Sequence, residues 1–298
     1  MPTPKPFTEL RVVRTAAWLA DDLRAGTDLP VVHDLGLDVQ PGARRTAWWA
    51  PHQFIARLTV TPEAQLPDLA SPGPAWLATV PPELLGRAVW CGPAGALSRC
   101  RLWDDGPAFA KPAEVKVAAL PAQMYPTSDA FMDALRAARL HPTSWVVVSD
   151  PLELVAEYRC FVAPRDGRAS VVAASAYLFD GVTWDAWEPT SAPDPSEAVE
   201  FAQTVLASTP GPDGWVLDVG RTSAGGWVVI EANAAWSSSP YHADAHGVVA
   251  AILASQTPPV PPRWRWRSDP VFDERAVPLR IRTPVLAPHD RLPHMDKA

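Results

Sequence analysis

The sequence predicts an α+β protein with an α/β region at its N-terminus, on three observations. Two apolar runs, Trp215–Val219 and Trp227–Ile230, flank the polar segment Arg221–Gly226 with its Gly225-Gly226 pair, the signal for antiparallel strands joined by a turn. Helical signals over Thr127–Leu140, Asp194–Ser208 and the stretch from Ser239 to about Ser255 alternate with short apolar strand candidates. The 35 prolines against 16 glycines favour many loops and few long helices.

In chain order, residues 1–10 read as a proline-broken lead-in, with a strand starting within Phe7–Val13. Thr15–Ala25 reads as a helix stopped near Gly26, and Asp28–Val32 as a strand. Arg45–Leu58 carries Trp48, Trp49, Phe54, Ile55 and Leu58 at a spacing nearer three to four than two, which predicts a helix interrupted by Pro51. Trp76–Val80 reads as a strand and Pro82–Leu85 as a brief helix. Val89-Trp90, Arg101–Trp103 and Pro107–Lys111 read as short strands. Thr127–Leu140 follows as a helix capped by Thr127 or Ser128, then Trp145–Val148 as an apolar strand. Leu152–Val162 and Arg168–Phe179 form a further pair around the Asp166-Gly167 turn. After the Asp194–Ser208 helix and the hairpin, Ser239 and Pro240 read as N-cap and first residue of the last helix. The remainder predicts edge strands at Arg263–Arg267 and Val277–Arg282.

At 298 residues, 47% hydrophobic and 20% charged, the chain has the composition of a globular protein. The net charge of −7 argues against a nucleic-acid surface spread over the molecule. Three cysteines at spacings matching no zinc or redox motif, and no apolar run of signal-peptide or membrane-span length, predict a soluble cytoplasmic protein without membrane contact.

Glu231 and Asn233 lie two apart on one strand and therefore share a face, while Asp218 sits on the neighbouring strand. Both acids are embedded in apolar strands, where an unpaired carboxylate is costly. Two carboxylates and an amide oxygen suit a hard cation such as Mg2+ that also holds phosphates. Lys111 and Lys116 bracket a loop and could neutralise phosphate oxygens. Glu157 and Arg159 share a strand face, either as a plain cross-strand pair or as a grip on a ligand. Trp236, Ser237, Ser238, Ser239, Tyr241 and His242 lie just past the hairpin, where a helix start could cap itself or hold an anion. His242 and His246, at i and i+4, lack a third ligand for zinc. Arg263–Arg267 (RWRWR) alternates base and aromatic, as an edge strand or a nucleic-acid contact would.

The segments AKPAEVK, VVVSDP, EYRCFV and DVGR…GGWVVIEANAAWSSSPY, in that order, resemble the ATP-grasp superfamily, and most closely its clade named for one arginine and two lysines. The resemblance covers about 100–255. It implies an ATP-grasp fold in which two α+β subdomains clamp ATP. Residues 1–90 would precede the grasp domain, 91–255 would form it (91–150 small, 151–255 large), and 256–298 would be a proline-rich tail. It also implies ATP phosphates on Lys111 and Lys116, adenine against the backbone of Val147, Val148 and Ser149, and ribose at Glu157. Mg2+ would sit on Asp218, Glu231 and Asn233, and Arg159, Lys116 and Arg221 would form the catalytic set. AEVKVAALPAQ stands where many relatives carry a glycine-rich loop. The implied activity is carboxylate–amine ligation of a small amino acid or peptide through an acylphosphate. A phosphotransferase and a non-catalytic nucleotide-binding module remain as alternatives.

Overall fold

The structure is a computed structural model that describes residues 6–13, 17–34, 38–39, 45–62, 64, 66–274 and 276–281. Residues 1–5 of the lead-in, Thr15 and Ala16 of the first helix, and Arg282 lie outside the described residues.

The N-terminal region holds β1 (Glu9–Val13), α1 (Trp18–Arg24), β2 (Val31–Asp34), β3 (Asp38–Val39), β4 (Thr46–Trp49) and α2 (His52–Thr59). Strands β2-β1-β4 form a parallel sheet. The helix expected across Arg45–Leu58 is thus two elements. Every residue of β4 is buried, and a strand covered on both faces reads as an unbroken apolar run with no period of two. Pro51 lacks the N–H that a continuous helix needs, and it caps α2 instead.

The small sheet of the next region has the order β5-β8-β6-β7, from β5 (Val89–Pro93), β6 (Ala108–Pro112), β7 (Gln123–Tyr125) and β8 (Trp145–Ser149). Helices α3 (Pro82–Leu85) and α4 (Ser128–Ala137) flank it, and the Thr127 hydroxyl caps α4 by accepting from the Ala130 N–H. Trp76–Thr79 is a 3-10 turn rather than a strand, and Arg101–Trp103 is a turn. Trp76 is buried against Trp215, centroids 5.0 Å apart, so a turn satisfies the apolar pattern as well as a strand would.

The large antiparallel sheet has the order β11-β10-β9-β12-β13. Its strands are β9 (Leu154–Arg165), β10 (Arg168–Phe179), β11 (Val182–Thr183), β12 (Trp215–Thr222) and β13 (Trp227–Asn233). Gly225, at φ +89°, supplies the left-handed turn residue between β12 and β13. One face packs Tyr158, Cys160, Leu217 and Val219 beneath α5 (Ser196–Ser208). The other packs Phe161, Ala173 and Val216 beneath α6 (Ala245–Ala254) in a core shared with β1 and α1. Gly247 makes that approach possible, since a Cβ there would stand 2.2 Å from the Val172 carbonyl oxygen.

Helix α6 starts at Ala245, capped by Asp244, and not at Ser239. Tyr241 has φ 54°, outside the right-handed helical region, so the chain from Ser238 to Ala243 is a loop. The final segment holds α7 (Pro270–Asp273) and β14 (Arg280–Ile281), which pairs with β3. Arg263–Arg267 is no strand: it is a 3-10 turn with a single bridge from Arg265 to Ala70. Gln256 and Trp266 tie the segment back to the N-terminal region. The Gln256 amide bonds both backbone groups of Trp48, and the Trp266 N–H donates to the Leu69 carbonyl at 2.7 Å. Among the described residues no helix is long and apolar enough to cross a membrane.

Candidate functional site

The two sheets face each other across a cleft of about 500 Å3 lined by Lys111, Glu114, Lys116, Leu120, Glu231 and Asn233, among others. The register explains the gathering. Asp218 stands opposite Arg159 on β9 and opposite Glu231 on β13, so side chains far apart in sequence share one sheet face.

Arg159 and Asp218 form a buried bidentate pair: Nε donates to Oδ1 at 2.9 Å and Nη2 to Oδ2 at 2.7 Å. Burial alone would depress the Arg159 guanidinium, but the Asp218 carboxylate more than offsets this and holds it above its ordinary value. Arg159 Nη1 also donates to the Ser239 carbonyl at 3.2 Å, and the guanidinium lies 5.0 Å from the Tyr241 ring and 5.7 Å from Tyr177. The Asn233 amide donates to Asp218 Oδ2 at 3.1 Å and to Glu231 Oε1 at 2.9 Å. Glu231 in turn is ion-paired with Lys111 from β6 in the other sheet. A chain of charge therefore runs across the cleft from Lys111 through Glu231, Asn233 and Asp218 to Arg159.

Burial pushes the Lys111 ammonium down to about 8, against the pull of Asp218. Burial raises the Glu157 carboxyl, which accepts a hydrogen bond from Tyr177, and raises the Tyr177 phenol well above its ordinary value. Glu157, Tyr177 and Arg159 are thus one connected wall.

The hairpin oxygens suit a hard cation, though unequally. Asp218 Oδ2 already accepts two hydrogen bonds and Oδ1 one, which leaves it a single lone-pair direction. Glu231 Oε2, once Lys111 leaves it, and the Asn233 carbonyl oxygen are the more available donors. Among the described residues no group of three or more His, Cys, Asp or Glu is arranged to hold a metal. A cation here would rest instead on carboxylates together with the Asn233 amide oxygen.

Not every sequence-predicted residue joins this cluster. Arg221 is three residues from Asp218 on β12, so it projects from the opposite sheet face, exposed and 3.8 Å from Glu197. The structure does not bring it to Lys111 and Arg159. Val147 and Val148 sit in the middle strand of the small sheet, paired with β5 on one side and β6 on the other. Their backbone groups are committed to those ladders, and Ser149 at the strand end is followed by Asp150, which bonds Ala88. Lys116 is exposed at the cleft rim.

In the Trp236–His242 stretch, Trp236 is fully buried and donates to the Ala70 carbonyl, and Ser238 bonds the Ala234 carbonyl. Ser237 meets the His52 ring nitrogen at 3.1 Å. Burial, then Lys116, pushes the His52 imidazole down to about 4. His242 Nε2 bonds the Trp184 carbonyl, and His246 is exposed beside Asp244, so the two histidines do not share a ligand site.

Nothing in the sequence flags Arg87. Its guanidinium donates to the Val229 and Ile230 carbonyls at 2.7 and 3.1 Å, fixing β13 just before Glu231. The contact with Val229 spans 142 residues, and no local pattern announces it.

Two sheets closing on a cleft, a lysine reaching from one and an acid–amide pair from the other, define an ATP-grasp domain. The chain belongs to the ATP-grasp domain family numbered 2 in the clade named for one arginine and two lysines, whose family model matches residues 84–251. Solved structures of similar shape include D-cycloserine synthetase (18% identity, 83% of this chain and 99% of that one, TM-score 0.48). Another is N5-carboxyaminoimidazole synthase from Aspergillus clavatus, solved with ADP (10% identity, 83% and 77%, TM-score 0.47). A third is a RimK domain ATP-grasp protein from Sphaerobacter thermophilus (15% identity, 84% and 99%, TM-score 0.42). No curated protein matches the chain.

Proposed function

We propose that this protein is an ATP- and Mg2+-dependent carboxylate–amine ligase that forms an amide bond on a small amino acid or peptide through an acylphosphate. The observation that carries this reading is the Lys111–Glu231 pair bridging the two sheets, with Asn233 beside it, in a member of the ATP-grasp family. A carboxylate is a poor electrophile. Phosphorylation by ATP converts it to an acylphosphate, which an amine attacks with loss of phosphate. Phosphoryl transfer depends on positioning and on cations at the phosphate oxygens more than on a protein nucleophile.

In this reading Lys111 leaves Glu231 to meet a phosphate, and the phosphate's charge keeps its ammonium protonated despite burial. Lys116 adds a second cation from the rim. Glu231 and the Asn233 carbonyl would hold Mg2+, with Asp218 able to add one oxygen; when bound, the ion neutralises phosphate oxygens. Arg159 acts as a positioning residue, because three of its five N–H donors hold Asp218 and the Ser239 carbonyl. The segment after Asp150, which lies outside the ladders of the small sheet, would face adenine in place of Val147 and Val148, with Glu157 nearby for the ribose. The region 91–150 and the region 151–255 would then be the two jaws.

The test is ADP release measured against a panel of amino acids and short peptides. The ligase reading expects release that needs both a carboxylate and an amine co-substrate. A stable phosphoester formed without an amine would show a phosphotransferase instead. No release with any substrate would leave a nucleotide-binding module.

A further inference from the structure

The loop 113–122 between β6 and β7 walls one side of the cleft and carries Lys116. It contains no glycine, and the structure anchors it at several points. The Ala113 N–H donates to the Trp145 carbonyl at 2.9 Å, and Val117 bridges Leu120. Val115 and Leu120 are buried in one cluster with Phe131 and Leu135 of α4. These contacts hold the loop to the small sheet and its helix. Lys116 is exposed, but its neighbour Val115 is fixed in the core.

One further anchor leaves the small sheet. Glu114 Oε1 accepts from the Ser71 hydroxyl, 43 residues earlier in the chain. That hydroxyl accepts in turn from the Gly73 N–H at 3.1 Å, so its one hydrogen is aimed at Glu114. Ser71 is itself fixed: it is buried, and its N–H donates to the Trp264 carbonyl at 2.9 Å. Beside it, the Ala70 N–H donates to the Ser255 carbonyl just past α6, and the Ala70 carbonyl accepts from the Trp236 ring just past β13. Glu114 therefore ties the wall that carries Lys116 to the body that carries Glu231 and Asn233. Burial pushes the Glu114 carboxyl up to about 7, with the Ser71 bond acting against the rise.

We propose that the Glu114–Ser71 bond is a tether that presets this wall of the cleft, and that Glu114 is the positioning residue for Lys116 at the nucleotide phosphates. The inference rests on the nucleotide site of the ligase reading and adds a residue to it. A lysine on a free loop loses backbone and side-chain freedom when it meets a phosphate, and that loss subtracts from affinity. The tether removes the backbone share before the ligand arrives. It also fixes the loop's place across the cleft from Glu231 and Asn233. Glu114 touches no phosphate in this account and acts only through Lys116.

The test pairs limited trypsin digestion of the full chain, without nucleotide, with calorimetric titration of ATP in the presence of Mg2+. Lys111 precedes Pro112, a bond trypsin does not cut, so the bond after Lys116 is the one susceptible site between Arg101 and Arg136. Glu114→Ala, and Ser71→Ala from the other side of the bond, should each speed cleavage there by about tenfold or more, as release of a pinned loop predicts. Both should weaken ATP about threefold to tenfold, as loss of one phosphate contact at the rim predicts. Glu114→Gln, whose amide oxygen still accepts from Ser71, should match the native chain in both measurements. In a Lys116→Ala background, Glu114→Ala should cost no further ATP affinity, a result that a merely structural role would not give. Equal cleavage in the native chain and both alanine variants, a Gln variant as impaired as Ala, or an undiminished ATP loss in the Lys116→Ala background would each overturn the proposal alone. A native chain that binds no ATP would overturn the ligase reading and the positioning role together.

Discussion

The buried Arg159–Asp218 pair allows a prediction with a worked magnitude. Asp218 has no exposed surface and Arg159 is 8% exposed, so water cannot take over when one partner is removed. Arg159→Met deletes two charge-assisted bonds and strands a carboxylate whose remaining donor is the Asn233 amide. Breaking a buried pair in this way costs about 3–5 kcal/mol. Asp218→Asn leaves Arg159 with the Ser239 carbonyl and the tyrosine rings, at a cost of the same order. Once one charge is gone, removing the other removes a liability. The double variant should therefore be well above the stability that summed single losses would give, with a coupling on the order of 2–3 kcal/mol. Urea unfolding at neutral pH without nucleotide measures all four proteins. Single losses that add to within about 0.5 kcal/mol would refute the direct bridge and with it the positioning role of Arg159.

Two further predictions concern stability. Glu114 is raised to about 7 in the folded chain, so the native protein should lose stability as pH rises from 4.5 to about 7, where only the unfolded chain ionises freely. Glu114→Gln should match the native protein near pH 4.5 and exceed it by on the order of 1–3 kcal/mol at pH 8; a pH-independent difference in urea midpoints would contradict this. Gly247→Ala should destabilise the fold by about 1–3 kcal/mol, because the new methyl meets the Val172 carbonyl and lifts α6 from β10. An unchanged melting temperature would show that helix and strand have room to spare.

How much of the protein is legible in its sequence depends on the range over which each residue is determined. The hairpin, β9, β10, α4 and α5 are readable because alternation, caps and turn glycines are local signals. The segment Arg45–Leu58 defeats periodicity because a fully buried parallel strand has no alternation to show. The start of α6 is misleading because Ser239-Pro240 looks like a cap and first turn, and only the left-handed Tyr241 forbids it. At the site, the shared face of Glu231 and Asn233 follows from strand parity, while Asp218 joins it through the register of the hairpin. The same parity, applied to Arg221, excludes it. What parity does not reveal is that Arg159 reaches Asp218, that Lys111 reaches Glu231 from another sheet, or that Arg87 holds β13 in place. Those are tertiary facts, and no local pattern encodes them.

The central claim is that Lys111 and the Glu231–Asn233 pair form a metal–nucleotide site, and titration of ATP into the native chain and into Lys111→Ala tests it most directly. Such a site predicts saturable binding that requires Mg2+ in the native protein and is weakened about tenfold or more in the variant. Equal affinity in both proteins, or binding indifferent to removal of Mg2+ by a chelator, would contradict it.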